Sequence, residues 1–154
     1  MKKLFCFIII TLLLCCLNCN FTKSLNKLDI FNNSNFEVFT TKKTNLDCNK
    51  IENGQGEILF LDYENFISIY SDNSYISGFN VYTNLTPKTI LKKLNAYNVI
   101  IHNQSLYAYS PIINSILKDK KINNIKIDNK EVNIQINIQN NKNIVGFPIN
   151  LGSF

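Results

Sequence analysis

From Lys130 to Gln139 hydrophobic and polar residues alternate without a break. Val132, Ile134, Ile136 and Ile138 fall on one parity, and Glu131, Asn133, Gln135, Asn137 and Gln139 on the other. A period of two marks a strand with one dry face, so the run predicts a half-buried antiparallel strand. Neighbouring registers follow if the apolar faces are to coincide. A turn at Asn129-Lys130 sets Ile127 against Val132 and Ile125 against Ile134; a turn around residues 140–142 sets Ile136 against Val145, Ile134 against Phe147 and Val132 against Ile149. The run thereby becomes the middle strand of a three-stranded meander. Pro148 has no N–H to give a ladder, which predicts a longer loop or an early end of pairing, with a sheet edge at that point.

Upstream the pattern is shorter-ranged. Leu25, Leu28 and Phe31 stand at helical spacing in a polar stretch, so residues 20–35 read as either a polar linker or a short helix. Phe36 to Lys42 has strand propensity, and the segment up to Asn53-Gly54-Gln55-Gly56 is rich in turn residues. Ile58 to Leu61, Phe66 to Ser71 and Tyr75 to Thr83 read as two or three meandering strands; Ile58 to Asn65 is alternatively a turn or two of helix. Thr86-Pro87 is a helix start: Thr86 is a good N-cap, Pro87 occupies the first position where its missing N–H costs nothing, and Leu85 can staple to Ile90. Ile90, Leu91 and Leu94 form the buried stripe of that helix, and Asn95 is its stop. Tyr97 to His102 and Ser105 to Tyr109 form a hairpin turned at Asn103-Gln104. Pro111 ends the second strand, and Ile112, Ile113, Ile116 and Leu117 predict a second, shorter helix. The expected fold class is α+β: a single domain over residues 36–154, an antiparallel sheet with one or two helices.

Residues 1–19 change the picture of where this domain resides. Lys2 and Lys3 precede Leu4 to Leu17, an unbroken apolar run of the length of a signal h-region and short for a membrane span. They read as a signal peptide or signal anchor, and the protein as exported, either secreted or membrane-associated. Cys16 and Cys19 are candidate lipidation sites; ordinary cleavage near Asn18 to Asn20 is the alternative. The chain has 154 residues and a formal charge of +5, which falls to +3 without the leader, since that segment carries Lys2 and Lys3 and no acid. All of its cationic side chains are lysine, scattered without interleaved aromatics, so no nucleic-acid partner is expected. Membrane contact is expected only through the leader or a lipid anchor. Four of five cysteines lie in the leader, leaving Cys48 in the domain, too few for a disulfide framework.

The chemical inventory is sparse. His102 is the one histidine, and with Cys48 it supplies neither a zinc set nor a motif context for a nucleophile, so an ordinary thiol and a strand-end imidazole are the preferred readings over a dyad. Asp62 and Glu64, with Asn65 and Asp72, have turn-like rather than calcium-loop spacing; as a carboxylate pair they carry the alternative reading of a small secreted enzyme acting on cell-wall polymer. No cofactor and no catalytic residue is assigned.

The series T-P-K-T-I-L-K-K-L, L-Y-A-Y-S, I-D-N-K-E-V-N-I-Q-I-N-I-Q and G-F-P-I-N-L-G-S-F, within residues 74–154, resembles the YwmB family of exported bacterial proteins. The resemblance implies a TATA-box-binding-protein-like α+β fold and carries over no catalytic residues, none being established for that family; it does not imply DNA binding, because the chain lacks arginine and fold alone does not license function. The preferred reading is an exported cell-envelope protein of unknown biochemical activity, a non-enzymatic binding or interaction module whose partner is an unknown envelope protein or polymer; a lipoprotein accessory subunit is a further alternative. Asn133, Gln135 and Asn137 form the candidate partner face. On this reading, replacing Asn133 and Gln135 by lysine leaves folding intact, as circular dichroism would report.

Overall fold

A computed structural model describes residues 25–72, 75–139 and 142–149. The leader, Cys16 and Cys19 lie outside the described residues. The described chain is α+β, and its centre is an eight-stranded antiparallel sheet. Its strands are β1 (Asn35–Thr40), β2 (Asn49–Asn53), β3 (Gly56–Leu61), β4 (Ile76–Thr83), β5 (Tyr97–His102), β6 (Ser105–Tyr109), β9 (Ile134–Asn137) and β10 (Asn143–Phe147), in the order β2-β3-β1-β4-β10-β9-β6-β5; β7 (Ile125–Ile127) and β8 (Lys130–Val132) form a separate hairpin. A 3-10 helix (Asn26–Phe31) and helices α1 (Tyr63–Asp72), α2 (Pro87–Lys93) and α3 (Pro111–Asp119) complete the fold.

One face of the sheet carries the core. The row Leu61, Phe36, Val81, Val145, Ile136 and Leu106 crosses six strands through directly paired positions. Beside it runs Leu59, Val38, Phe79 and Phe147. Onto this face the helices bring Leu28, Phe31, Phe66, Tyr70, Ile90, Ile113, Ile116 and Leu117, all buried. The aromatic members interlock: Phe66 stacks on Phe36 with centroids 4.2 Å apart, and Phe79 stands 4.8 Å from both Phe66 and Phe147. Each such ring removes enough apolar surface to contribute about 1.5–3 kcal/mol, and each well-set pair adds about 0.5–1.5 kcal/mol. The Tyr70 hydroxyl donates to Ile116 O at 3.2 Å, joining α1 to α3.

Several expectations match the structure. Thr86 Oγ1 accepts the Thr89 N–H at 3.3 Å with Pro87 in the first turn, and Asn95 follows in the left-handed region (φ 50°). The hairpin Tyr97–Tyr109 turns at residues 103–104, α3 occupies the place of the second helix, and Ile136 faces Val145. Leu28 and Phe31 lie on the 3-10 helix within the core, so the stretch expected as linker or short helix is anchored there.

Four expectations are corrected. Phe66 to Ser71 is helix rather than strand: Asp62 Oδ1 accepts the Asn65 N–H at 2.9 Å and Asp62 O the Phe66 N–H at 3.0 Å, which starts α1 and puts Phe66 and Tyr70 one turn apart on its buried side. Residues 49–53, expected as part of a loop, form β2, turned into β3 through Gly54 (φ 62°); a Cβ at Gly56 would lie 1.8 Å from Thr40 O, so glycine is required there. The hairpin before β8 turns at Asp128-Asn129 (φ 49° and 60°), pairing Ile125 with Val132 and Ile127 with Lys130. Asp and Asn tolerate the left-handed region that the other turn would impose on Lys130. Lastly, the run 130–139 is broken at Asn133 into β8 and β9, and β10 lies inside the sheet between β9 and β4 rather than at an edge; its pairing with β9 ends at Gly146.

The break has a clear physical basis. Asn133 is fully buried, its Oδ1 accepts the Ser110 N–H at 2.8 Å, and its Nδ2 donates to Ser110 O at 3.0 Å. Its own N–H donates to Ala108 O at 3.0 Å. Ser110 Oγ in turn caps α3 at the Ile113 N–H (3.2 Å) and donates to Leu94 O at the end of α2 (2.6 Å). Asn133→Ala strands a buried Ser110 N–H and should cost about 2–4 kcal/mol. Urea unfolding should show a lower midpoint; an unchanged midpoint would contradict this role.

Candidate functional site

Sequence-predicted candidates are dispersed. Cys48 precedes edge strand β2, whereas His102 ends β5 at the opposite edge of the sheet. A single chain therefore brings no Cys48–His102 dyad together. Asp62 is engaged as the start of α1, and Glu64 is an exposed residue of its first turn. Among the described residues no three His, Cys, Asp or Glu side chains converge as a metal set, and no helix is long and apolar enough to cross a membrane.

The solvated partner face is corrected as well. Asn133 is fully buried and Gln135 is 8% exposed; only Asn137 of the three is half-open. Gln135 Nε2 donates to Asn137 Oδ1 at 2.8 Å, and Ser105 Oγ donates to the same oxygen at 2.6 Å. β9 lies inside the sheet with β6 and β10 on its flanks, so these amides serve internal hydrogen bonds. Period-two alternation reports the faces of a strand, and an inward-turned amide at a strand break has the same spelling as a solvated one.

A cleft of about 390 Å³ opens between α1 and the start of β2, lined by Leu46, Asp47, Cys48, Phe60, Asp62 and Asn65 among others. Burial pushes the Cys48 thiol up from its ordinary value, leaving it protonated and a poor nucleophile. The loop that walls this cleft is held from behind. Glu57 Oε2 accepts the Thr44 N–H at 2.7 Å and the Thr44 hydroxyl at 2.8 Å, and Lys50 Nζ lies 3.4 Å from Oε1. These hydrogen bonds, chiefly those from Thr44, hold the Glu57 carboxyl below its usual range. On the sheet face away from the helices, Glu37 Oε2 accepts from Asn80 Nδ2 at 2.8 Å and from the Tyr82 hydroxyl at 3.0 Å. Burial and that carboxylate push Tyr82 up to about 12.

Both edge strands of the sheet are largely open to solvent. The two outer strands differ sharply in how they meet water. β2 carries Lys50 and Glu52, and is exposed throughout. β5 carries no Lys, Asp or Glu, yet Tyr97 is 49% exposed, Val99 45% and Ile101 73%; Ile138, just past the end of β9 and bonded to Gln104 O in the β5–β6 turn, is 48% exposed. Charges on an edge discourage strand addition; an uncharged apolar edge invites it. Sequence reasoning found β5 as a strand but had no means of placing it outermost, because strand order is set by long-range pairing. The chain matches no family model, no curated protein and no solved structure.

The Glu57 clamp makes the loop above the cleft sensitive to acid. A carboxylate whose folded value is depressed contributes stability that is present above its unfolded value and is lost as pH falls through the folded one. Glu57→Gln should therefore lower Tm at neutral pH, and the gap from the parent should close as pH drops below the normal glutamate range. A gap of constant size down to acid pH would contradict the assignment.

Proposed function

We propose that the chain is an exported, non-enzymatic interaction module of the cell envelope that recognises a protein partner by strand addition at β5. The observation that carries this reading is the exposure of Val99 and Ile101 on an uncharged outer strand. In strand addition the main-chain groups of the edge give affinity and the side chains on alternating faces give selectivity. Export is supported by Lys2, Lys3 and the apolar run Leu4 to Leu17. The YwmB-like pattern of residues 74–154 supports the same extracytoplasmic setting, with either a retained leader or a lipid on Cys16 or Cys19 as the tether.

The secreted-enzyme alternative needs Asp62 and Glu64 free to act as a pair, and an Asp62 oxygen already receives a backbone N–H. A binding role makes no such demand.

A photo-crosslinking residue placed at position 101, in cells producing the full chain, should form adducts with a protein, and the same residue at position 51 on β2 should not. Equal labelling at both positions, or at neither, would remove β5 as the recognition edge.

A further inference from the structure

Resting on that reading of the edge, we infer that the partner at β5 is a second copy of this chain, paired antiparallel about a two-fold axis at Ile100. The hydrogen bonds of β6 fix which backbone groups of β5 are free. Ile138 N donates to Gln104 O at 3.2 Å and Asn133 N to Ala108 O at 3.0 Å, so the even-numbered residues of β6 direct their groups to β9. Ser105 and Tyr107 consequently direct theirs to β5, where they oppose His102 and Ile100. Successive residues of a strand point their main-chain groups to opposite sides, which leaves those of Val99 and Ile101 directed outward.

One two-fold register satisfies both these groups and the side chains. With Ile100 opposite Ile100 of the second copy, Val99 lies opposite Ile101, and Ile101 opposite Val99. Both of these pairs are of the hydrogen-bonded kind, and the central isoleucine pair is of the other kind, as alternation requires. The facing side chains are all apolar. Ile101 lies on the same face as Leu106, its partner on β6, and so at the open end of the row that runs from Leu61 through Phe36, Val81, Val145 and Ile136. Val99 of the copy continues that row and covers Ile101.

Alternative occupants fit less well. Pairing β5 with β2 of another copy would propagate as a filament, but it would set Lys50 or Glu52 beside Val99 and Ile101, and a charge there is unfavourable. The assembly therefore closes at two. The bulge at Asn98 (φ 54°), where the β5–β6 register shifts between Tyr97 and Ile100, confines the pairing to the segment beginning at Val99. A short, self-complementary and neutral segment fits its own copy, whereas a longer unrelated strand would meet the bulge.

The test uses the full chain in detergent solution. Sedimentation should show a dimer, and Ile101→Lys should weaken it about a hundredfold or more, because the ammonium would be desolvated without a counter-charge. Ile101 is 73% exposed, so the folded subunit accommodates the change. In Ile100→Cys, mild oxidation followed by tryptic mass spectrometry should find the same peptide of both copies joined by a disulfide at position 100. Val99→Cys should give no self-linked peptide, since the two positions are offset by two residues from one another. A monomer at all concentrations, or cross-links at position 99 in place of 100, would overturn the inference. A monomeric chain whose position-101 adduct is a different protein would overturn it while leaving strand addition at β5 standing; the absence of any position-101 adduct would remove both.

Discussion

The fold hangs on one buried amide. Asn133 grips both the N–H and the C=O of Ser110 with a single side chain, and Ser110 holds the start of α3 and the end of α2 through its hydroxyl. Four elements thus meet at one hydrogen-bonded node: two helix termini, the end of β6 and the break between β8 and β9. An asparagine is suited to this because its carbonyl and amino groups can satisfy a backbone donor and acceptor together. The node also dictates topology. Once residue 133 turns inward to Ser110, β8 departs to pair with β7, and β9 enters the large sheet between β6 and β10.

Local chemistry was legible where it is decided locally. Thr86-Pro87 starts a helix because the cap and the fixed proline φ are properties of neighbouring residues, and the hairpin at 103–104 follows from two strands separated by two turn residues. The match of Ile136 with Val145 was also readable, since a shift of one residue would turn every apolar side chain to the wrong face. Phe66 to Ser71 was not readable as a helix. Its F-I-S-I-Y spelling is rich in the aromatic and β-branched residues that favour strands, and the deciding signal was Asp62 as a cap upstream of it. β2 escaped for a different reason: Asn49 to Asn53 has little strand propensity, and pairing with β3 creates it.

The candidate sites were least legible because each depends on contacts between distant segments. Nothing in the spelling of Asn133 and Gln135 separates an amide facing water from one clamping a helix start 23 residues earlier in the chain. Cys48 and His102 gave no spacing from which to judge proximity, and strand order sets them at opposite edges of the sheet. Tyr82 and Glu37 show the converse. They lie far apart in the sequence, yet β1–β4 pairing brings a phenol and a carboxylate within 3.0 Å.

Sheet order also assigns the two edges different physical characters. The core face, crossed by the row from Leu61 to Leu106, is bounded at the β2 side by Lys50 and Glu52, which stand opposite Leu59 and Glu57 and are held in ion pairs with Glu57 and Lys43, and such charges discourage another strand from docking. At the β5 side the same row simply runs out: Leu106 is half-covered, and Ile101 beyond it faces water. A folded chain can relieve such an apolar end by charge, by a bulge or by a cover. Lysine, aspartate and glutamate are absent from β5, and the bulge at Asn98 blunts only its beginning. Cover by another strand is the device that remains for Val99 to His102. That strand must present apolar residues two apart, with outward-facing main-chain groups in the same phase, and β5 itself has both.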